Sequence, residues 1–181
     1  MLEKELEQEI INCGADRAEA VQDGQVVLSA SFRDICAANQ CGKYNRFWVC
    51  PPAIGSIDTL TEEIGQYTHA ILFQTVHPLE DSFDIEGMER AVRLHTALTQ
   101  RVRRRVEAIA IEKHLLLSCG GCTLCKACTL PEGRPCRHPS LTVAPMEAYG
   151  IDVYRTSQKT SLRYINGANT VTYFGILLWR D

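Results

Sequence analysis

A chain of 181 residues with 45% apolar and 23% charged residues has the composition of an ordinary soluble globular protein, and its length predicts a single domain over 1–181. Its net charge of −3 excludes the strongly basic balance of a nucleic-acid binder, and no apolar run approaches the ~20 residues needed to cross a bilayer. Cysteine is the outlier, with nine residues, an odd number that disulfides cannot pair completely. The opening Met-Leu-Glu-Lys-Glu-Leu-Glu-Gln-Glu-Ile is too charged for a signal peptide. A cytoplasmic chain with reduced thiols is therefore predicted, and clustered cysteines in that compartment point to metal or redox chemistry.

In chain order, residues 2–12 read as an amphipathic helix with Leu2, Leu6 and Ile10 on one face and Gly14 as its stop. Residues 25–31 read as a strand. The stretch 33–55, with three cysteines, Pro51-Pro52 and Gly55, reads as an ordered loop. A helix near 57–66 follows, capped by Thr59 with Glu62 or by Ser56. His69-Ala-Ile-Leu-Phe-Gln-Thr-Val76 is a continuous apolar strand of the buried kind. A long helix is predicted from Ile85 to Lys113, with Met88, Val92, His95, Leu98, Val102, Val106 and Ile109 stepping by three or four along one core-facing stripe. His95 reads as a hydrogen-bonded core histidine, and Arg101, Arg103, Arg104 and Arg105 as a solvated face. Leu115-Leu116-Leu117 is a short buried strand. Met146–Gln158 is predicted helical with a break at Gly150, and Leu162–Ile165 and Thr170–Trp179 read as strands joined through Asn166-Gly167. Strands alternating with helices predict an α/β fold, one layered sheet carrying two cysteine-rich metal-binding loops.

The chemistry concentrates in Cys119-Gly-Gly-Cys122-Thr-Leu-Cys125-Lys-Ala-Cys128, closed by Cys136. A C-x2-C-x2-C run wraps the backbone so that three thiolates converge, and a more distant cysteine completes the set. This is the ligand logic of [4Fe–4S] ferredoxins, although their last spacing is shorter. Lys126, Arg134 and Arg137 are placed to offset cluster charge, and His138 directly follows Cys136-Arg137. The alternative for four cysteines is tetrahedral zinc, which usually takes two separated C-x2-C pairs. A second set, Cys36-x4-Cys41-x8-Cys50-Pro51-Pro52, has three thiols and lacks a fourth; Cys119 and Cys13 are the candidate donors. Tyr44, Phe47 and Trp48 are placed to shield a site from water. The alternative for this set is three buried structural thiols.

Phe32-Arg-Asp-Ile-Cys36 through Cys41-Gly-Lys-Tyr44 to Trp48-Val-Cys50-Pro-Pro resembles the first signature of a family of predicted metal-binding proteins of unknown function, found mainly in anaerobic bacteria and archaea. Cys122-Thr-Leu-Cys125-Lys-Ala-Cys128, Pro135-Cys136-Arg137-His138-Pro139 and Met146-Glu-Ala-Tyr-Gly150-Ile-Asp-Val153 are similar to its second. The resemblance spans about residues 32–179. It implies metal binding at Cys122, Cys125, Cys128 and Cys136 and a role for Cys36, Cys41 and Cys50, and it implies no substrate or reaction.

The sequence therefore predicts one or two [4Fe–4S] clusters serving electron transfer or redox metabolism, with a redox partner protein. Two competitors stay open: an enzyme using an open-site iron as Lewis acid, and a zinc-stabilised interaction module. The two cysteine loops are expected to emerge at one edge of the sheet, following the strands at 25–31 and 115–117.

Overall fold

The computed structural model describes residues 2–109, 111 and 113–180. Five strands form one sheet: β1 (Arg17–Ala20), β2 (His69–Pro78), β3 (Lys113–Ser118), β4 (Ala144–Pro145) and β5 (Thr170–Arg180). Their order is β1-β2-β5-β3-β4. Only the β3–β4 pair is parallel, and the β1–β2, β2–β5 and β5–β3 pairs are antiparallel. The helices are α1 (Leu2–Asn12), α2 (Phe32–Ala37), α3 (Ile57–Ile64), α4 (Ile85–Glu107) and α5 (Val153–Ser157). The expected mixed α/β, single-sheet class holds.

The middles of β2 and β5 are largely apolar because both faces of the sheet are covered there. Successive side chains alternate between faces, so Ile71 and Phe73 join Leu177 and Trp179 beneath α1 and α4. Ala70 and Leu72 join Phe174, Ile176 and Leu178 on the other face, with Val49, Cys50, Leu60, Met146 and Ile151. One face is thus helical, and the other is roofed by the cysteine-bearing segments. Phe73 lies opposite Gly175 with its ring over the glycine, where an added Cβ would stand 2.2 Å from Phe73 Cζ. A glycine is required there so that the aromatic ring can lie flat on β5.

Helix α4 starts where Asp84 accepts a 2.7 Å hydrogen bond from the Gly87 N–H and buries Ala91, His95, Leu98, Val102 and Val106. It stops at Glu107, short of the expected Lys113; Ala110 and Glu112 of that expectation lie outside the described residues. Lys113 instead begins β3, paired with Arg180, so strand pairing overrides helical propensity. The arginine run is largely engaged: Arg105 pairs with Glu9, Arg103 with Glu107, and Arg101 donates to the Cys13 carbonyl at 2.8 Å. Ser56 caps α3, accepting from the Thr59 N–H at 3.2 Å.

Two further expectations are corrected. Residues 25–31 form no sheet strand. They lie over the loop face and bond to 150–152, with Ser29 N–H donating to Gly150 O at 2.7 Å, Asp152 N–H to Val27 O at 2.8 Å, and a bridge at Leu28–Ile151. Residues 162–165 also form no strand. Leu162 plugs into the loop-side core and Tyr164 stacks on Phe174 at 5.6 Å, so the segment crosses the sheet face rather than extending an edge. Arg17-Ala-Glu-Ala20, to which the sequence assigned no element, is the edge strand β1, held by its pairing with β2. Residues 146–158 follow the expected broken pattern: a 3-10 turn over Met146–Tyr149, left-handed Gly150, then α5.

Candidate metal centre

The segment after β3 folds back on itself through local bonds. Thr129 is the pin: its hydroxyl donates to the Pro135 carbonyl at 2.9 Å and accepts from the Trp48 indole at 3.3 Å. Arg137 donates to the Ala127 carbonyl at 2.9 Å. These bonds return the chain so that Cys136 reaches the earlier run, and Cys122, Cys125, Cys128 and Cys136 line one cavity. That cavity is narrow, about 20 Å³, so a cube-shaped cluster requires the irregular 122–136 loop to spread around it. His138 and Arg137 also line it, and the His138 N–H donates to Cys136 Sγ at 3.4 Å. Of the other cations expected there, Arg134 pairs with Glu132 and Lys126 is exposed.

The earlier segment places Cys36 on α2 and carries Cys41 and Cys50 on a tight loop. Asn39 and Asn45 adopt left-handed backbone there, which asparagine tolerates better than most residues. The Asn39 side chain accepts from the Tyr44 N–H at 3.0 Å, and the Asn45 N–H donates to the Pro51 carbonyl at 2.8 Å. The outcome is a second cavity of about 340 Å³, lined by Cys36, Cys41 and Cys50 together with Lys43, Gly120 and Glu147. The three thiols thus share one cavity, although the route to it is not a strand at 25–31.

The fourth-donor candidates sit elsewhere. Cys119 lines a separate small cavity with Thr99, Ser118 and Cys122, and Cys13 packs on the helical face of the sheet. Burial raises the thiol pKa of Cys36 and Cys122, takes Cys50 to about 11, and takes Cys119 to about 12 with help from Glu147. Burial also raises the Glu147 carboxyl. All nine cysteines are free, and among the described residues no three His, Cys, Asp or Glu side chains stand in the arrangement that grips a single ion.

The two segments are interleaved. Phe47, Trp48 and Val49 of the first wall the four-thiol cavity of the second. Gly120, Pro145 and Glu147 of the second wall the three-thiol cavity of the first. Trp48 and Phe47 therefore shelter the other segment's thiols, while Tyr44 lines its own. Thr129, Lys43 and Glu147 escaped sequence reasoning. Lys43, directly after Cys41-Gly42, and Glu147, inside the second signature, carried a positional signal, and Thr129 carried none.

The family of predicted metal-binding proteins designated DUF2284 matches residues 19–179. The chain belongs to this family. No curated protein and no solved structure matches it. Both cysteine segments lie within the DUF2284 match, which makes metal binding the family's expected property and leaves the metal open. The donor set fits a thiophilic metal: soft thiolates suit iron–sulfur clusters and zinc rather than calcium or magnesium.

Proposed function

We propose that this DUF2284 protein is an iron–sulfur protein of the cytoplasm, with a [4Fe–4S] cluster at Cys122, Cys125, Cys128 and Cys136 and a second metal centre at Cys36, Cys41 and Cys50, acting in electron transfer. The observation that carries it is the sharing of one cavity by four thiols of a single pinned loop. A cluster bound there supplies one-electron chemistry. Trp48 and Phe47 exclude water, and the His138 N–H on Cys136 Sγ tempers that sulfur's electron density. The second centre has three thiols around a roomier cavity, and this supports a further reading in which its iron accepts a non-cysteine ligand.

The test is anaerobic purification with iron, acid-labile sulfide and zinc counted per chain. The expected protein is brown, with broad absorption near ~400 nm from thiolate-to-iron charge transfer. A colourless protein carrying about one zinc per chain would replace this reading with a zinc-stabilised interaction module.

A further inference from the structure

The three-thiol cavity contains a carboxylate whose hydrogen bond is to its own backbone N–H. Glu147 lines it, projecting from the 3-10 turn over Met146–Tyr149. The residue is partly buried, and among the described residues its side chain makes no ion pair and no hydrogen bond to another residue. Two sheltered acids elsewhere in the fold are answered. Glu7 takes Lys4 and the Ala20 N–H, and Asp84 takes the Gly87 and Glu80 N–H groups. Half-desolvating a carboxylate that no cation answers is costly. Its neighbours deepen the cost, because its charge acts unfavourably on Cys36 on one side and Cys119 on the other. Once deprotonated, the three thiols and the carboxylate around one cavity form an anionic set whose charge a metal cation offsets.

Lys43 is the one ammonium lining that cavity, and it does not close on Glu147 in an ion pair. Its stem lies along the Gly120-Gly121 backbone, where a Cβ on Gly121 would stand 2.8 Å from Lys43 Cδ and 3.3 Å from Nζ. The glycine seats the lysine, and Lys43 acts favourably on both Cys50 and Cys119. One ammonium balances only part of the set.

We infer that the Glu147 carboxylate is the non-cysteine ligand of the metal centre at Cys36, Cys41 and Cys50, with Lys43 as its charge-balancing neighbour. This rests on the reading of that trio as a metal site. It replaces Cys119, which lines a different cavity. A carboxylate is a harder donor than thiolate, so in a four-iron cluster at this site the iron held by Glu147 would differ from the three held by cysteine and would exchange its ligand more readily.

The experiment uses the full chain, reconstituted anaerobically with iron and sulfide, and reads iron per chain and the electron paramagnetic resonance spectrum. Cys41→Ser first reports whether the trio holds a centre. Against that control, Glu147→Ala and Glu147→Gln are expected to lose about one iron per chain and to gain a three-iron signal when oxidised. Glu147→Cys is expected to keep all the iron with an altered spectrum and no additional titratable thiol. Wild-type iron and spectrum in Glu147→Ala, with the centre lost in Cys41→Ser, overturn the inference and leave the site reading intact. No change in Cys41→Ser overturns both. Where Glu147→Ala and Glu147→Gln fail to fold, Glu147→Cys decides alone: a free thiol at 147 beside an unchanged spectrum counts against the assignment.

Discussion

The two faces of the sheet are built on different principles. On the helical face, α1 and α4 bury Leu6, Ile10, Leu98 and Val102 against Ile71, Phe73 and Leu177, and the one buried histidine is fully answered. His95 is 0% exposed; its Nδ1 accepts from the Thr75 hydroxyl at 2.8 Å and its Nε2–H donates to the Phe174 carbonyl at 3.1 Å. On the loop face, short elements and irregular backbone surround cysteines, an unpaired carboxylate and a lysine seated on glycines. Hydrophobic burial suffices to order the first face, whereas the order of the second face is expected to depend on what its thiols bind.

The largest expected effect comes from removing a ligand. Cys125→Ser should lose most of the metal of the four-thiol site, and because site formation is coupled to folding, hydrogen exchange should accelerate across 119–142 and across the Phe47–Val49 wall. Amides of β2, β5 and α4 should keep their protection. Equal loss of protection on both faces would break the comparison. Next is Leu98→Ala on the helical face, where Leu98 is 2% exposed. The variant should lose about 4 kcal/mol in denaturant unfolding while its metal content stays at the wild-type level.

His95 gives the pH test. Burial lowers its pKa from 6.5 to about 4, so the folded protein refuses a proton that the unfolded chain accepts. Its contribution is fully present above pH 6.5 and is lost as the pH falls from there towards 4, about 3 kcal/mol in all. Urea midpoints measured across that window should fall with pH, and His95→Leu should flatten the slope. The smallest effect belongs to Ser56→Ala, which removes the α3 cap on the loop face and should cost about 1 kcal/mol, read as a melting-temperature shift.

Periodicity made the helical face legible. The α4 stripe, the α1 stripe and the apolar run of β2 all follow from where side chains must point, and His95 was readable as a core residue for the same reason. The ends were less legible. Helix α4 stops early because Lys113 is claimed by Arg180 across the sheet, and a window of local sequence carries no trace of that distant partner. The segments at 25–31 and 162–165 have strand-like composition yet lie across a face, a choice made by Ile151 and Phe174 rather than by their own residues. At the candidate site, spacing grouped the cysteines into a four and a three, and each group lines one cavity. Spacing did not reveal that each cavity is walled by the other segment, because the contacts of Trp48 with Thr129 and of Lys43 with Gly121 join residues nearly 80 or more positions apart.

The position of β5 sets a timetable for biosynthesis. The strand that joins β2 to β3 is made after every cysteine, so the two halves of the sheet have no shared ladder until residues 170–180 emerge. At 5–20 residues per second, Cys50 then waits about 10 s for its surroundings. Throughout that interval the thiols hang on an unfinished scaffold, open to oxygen and to stray metals. Stable loading is therefore expected only once β5 has emerged and the sheet has closed.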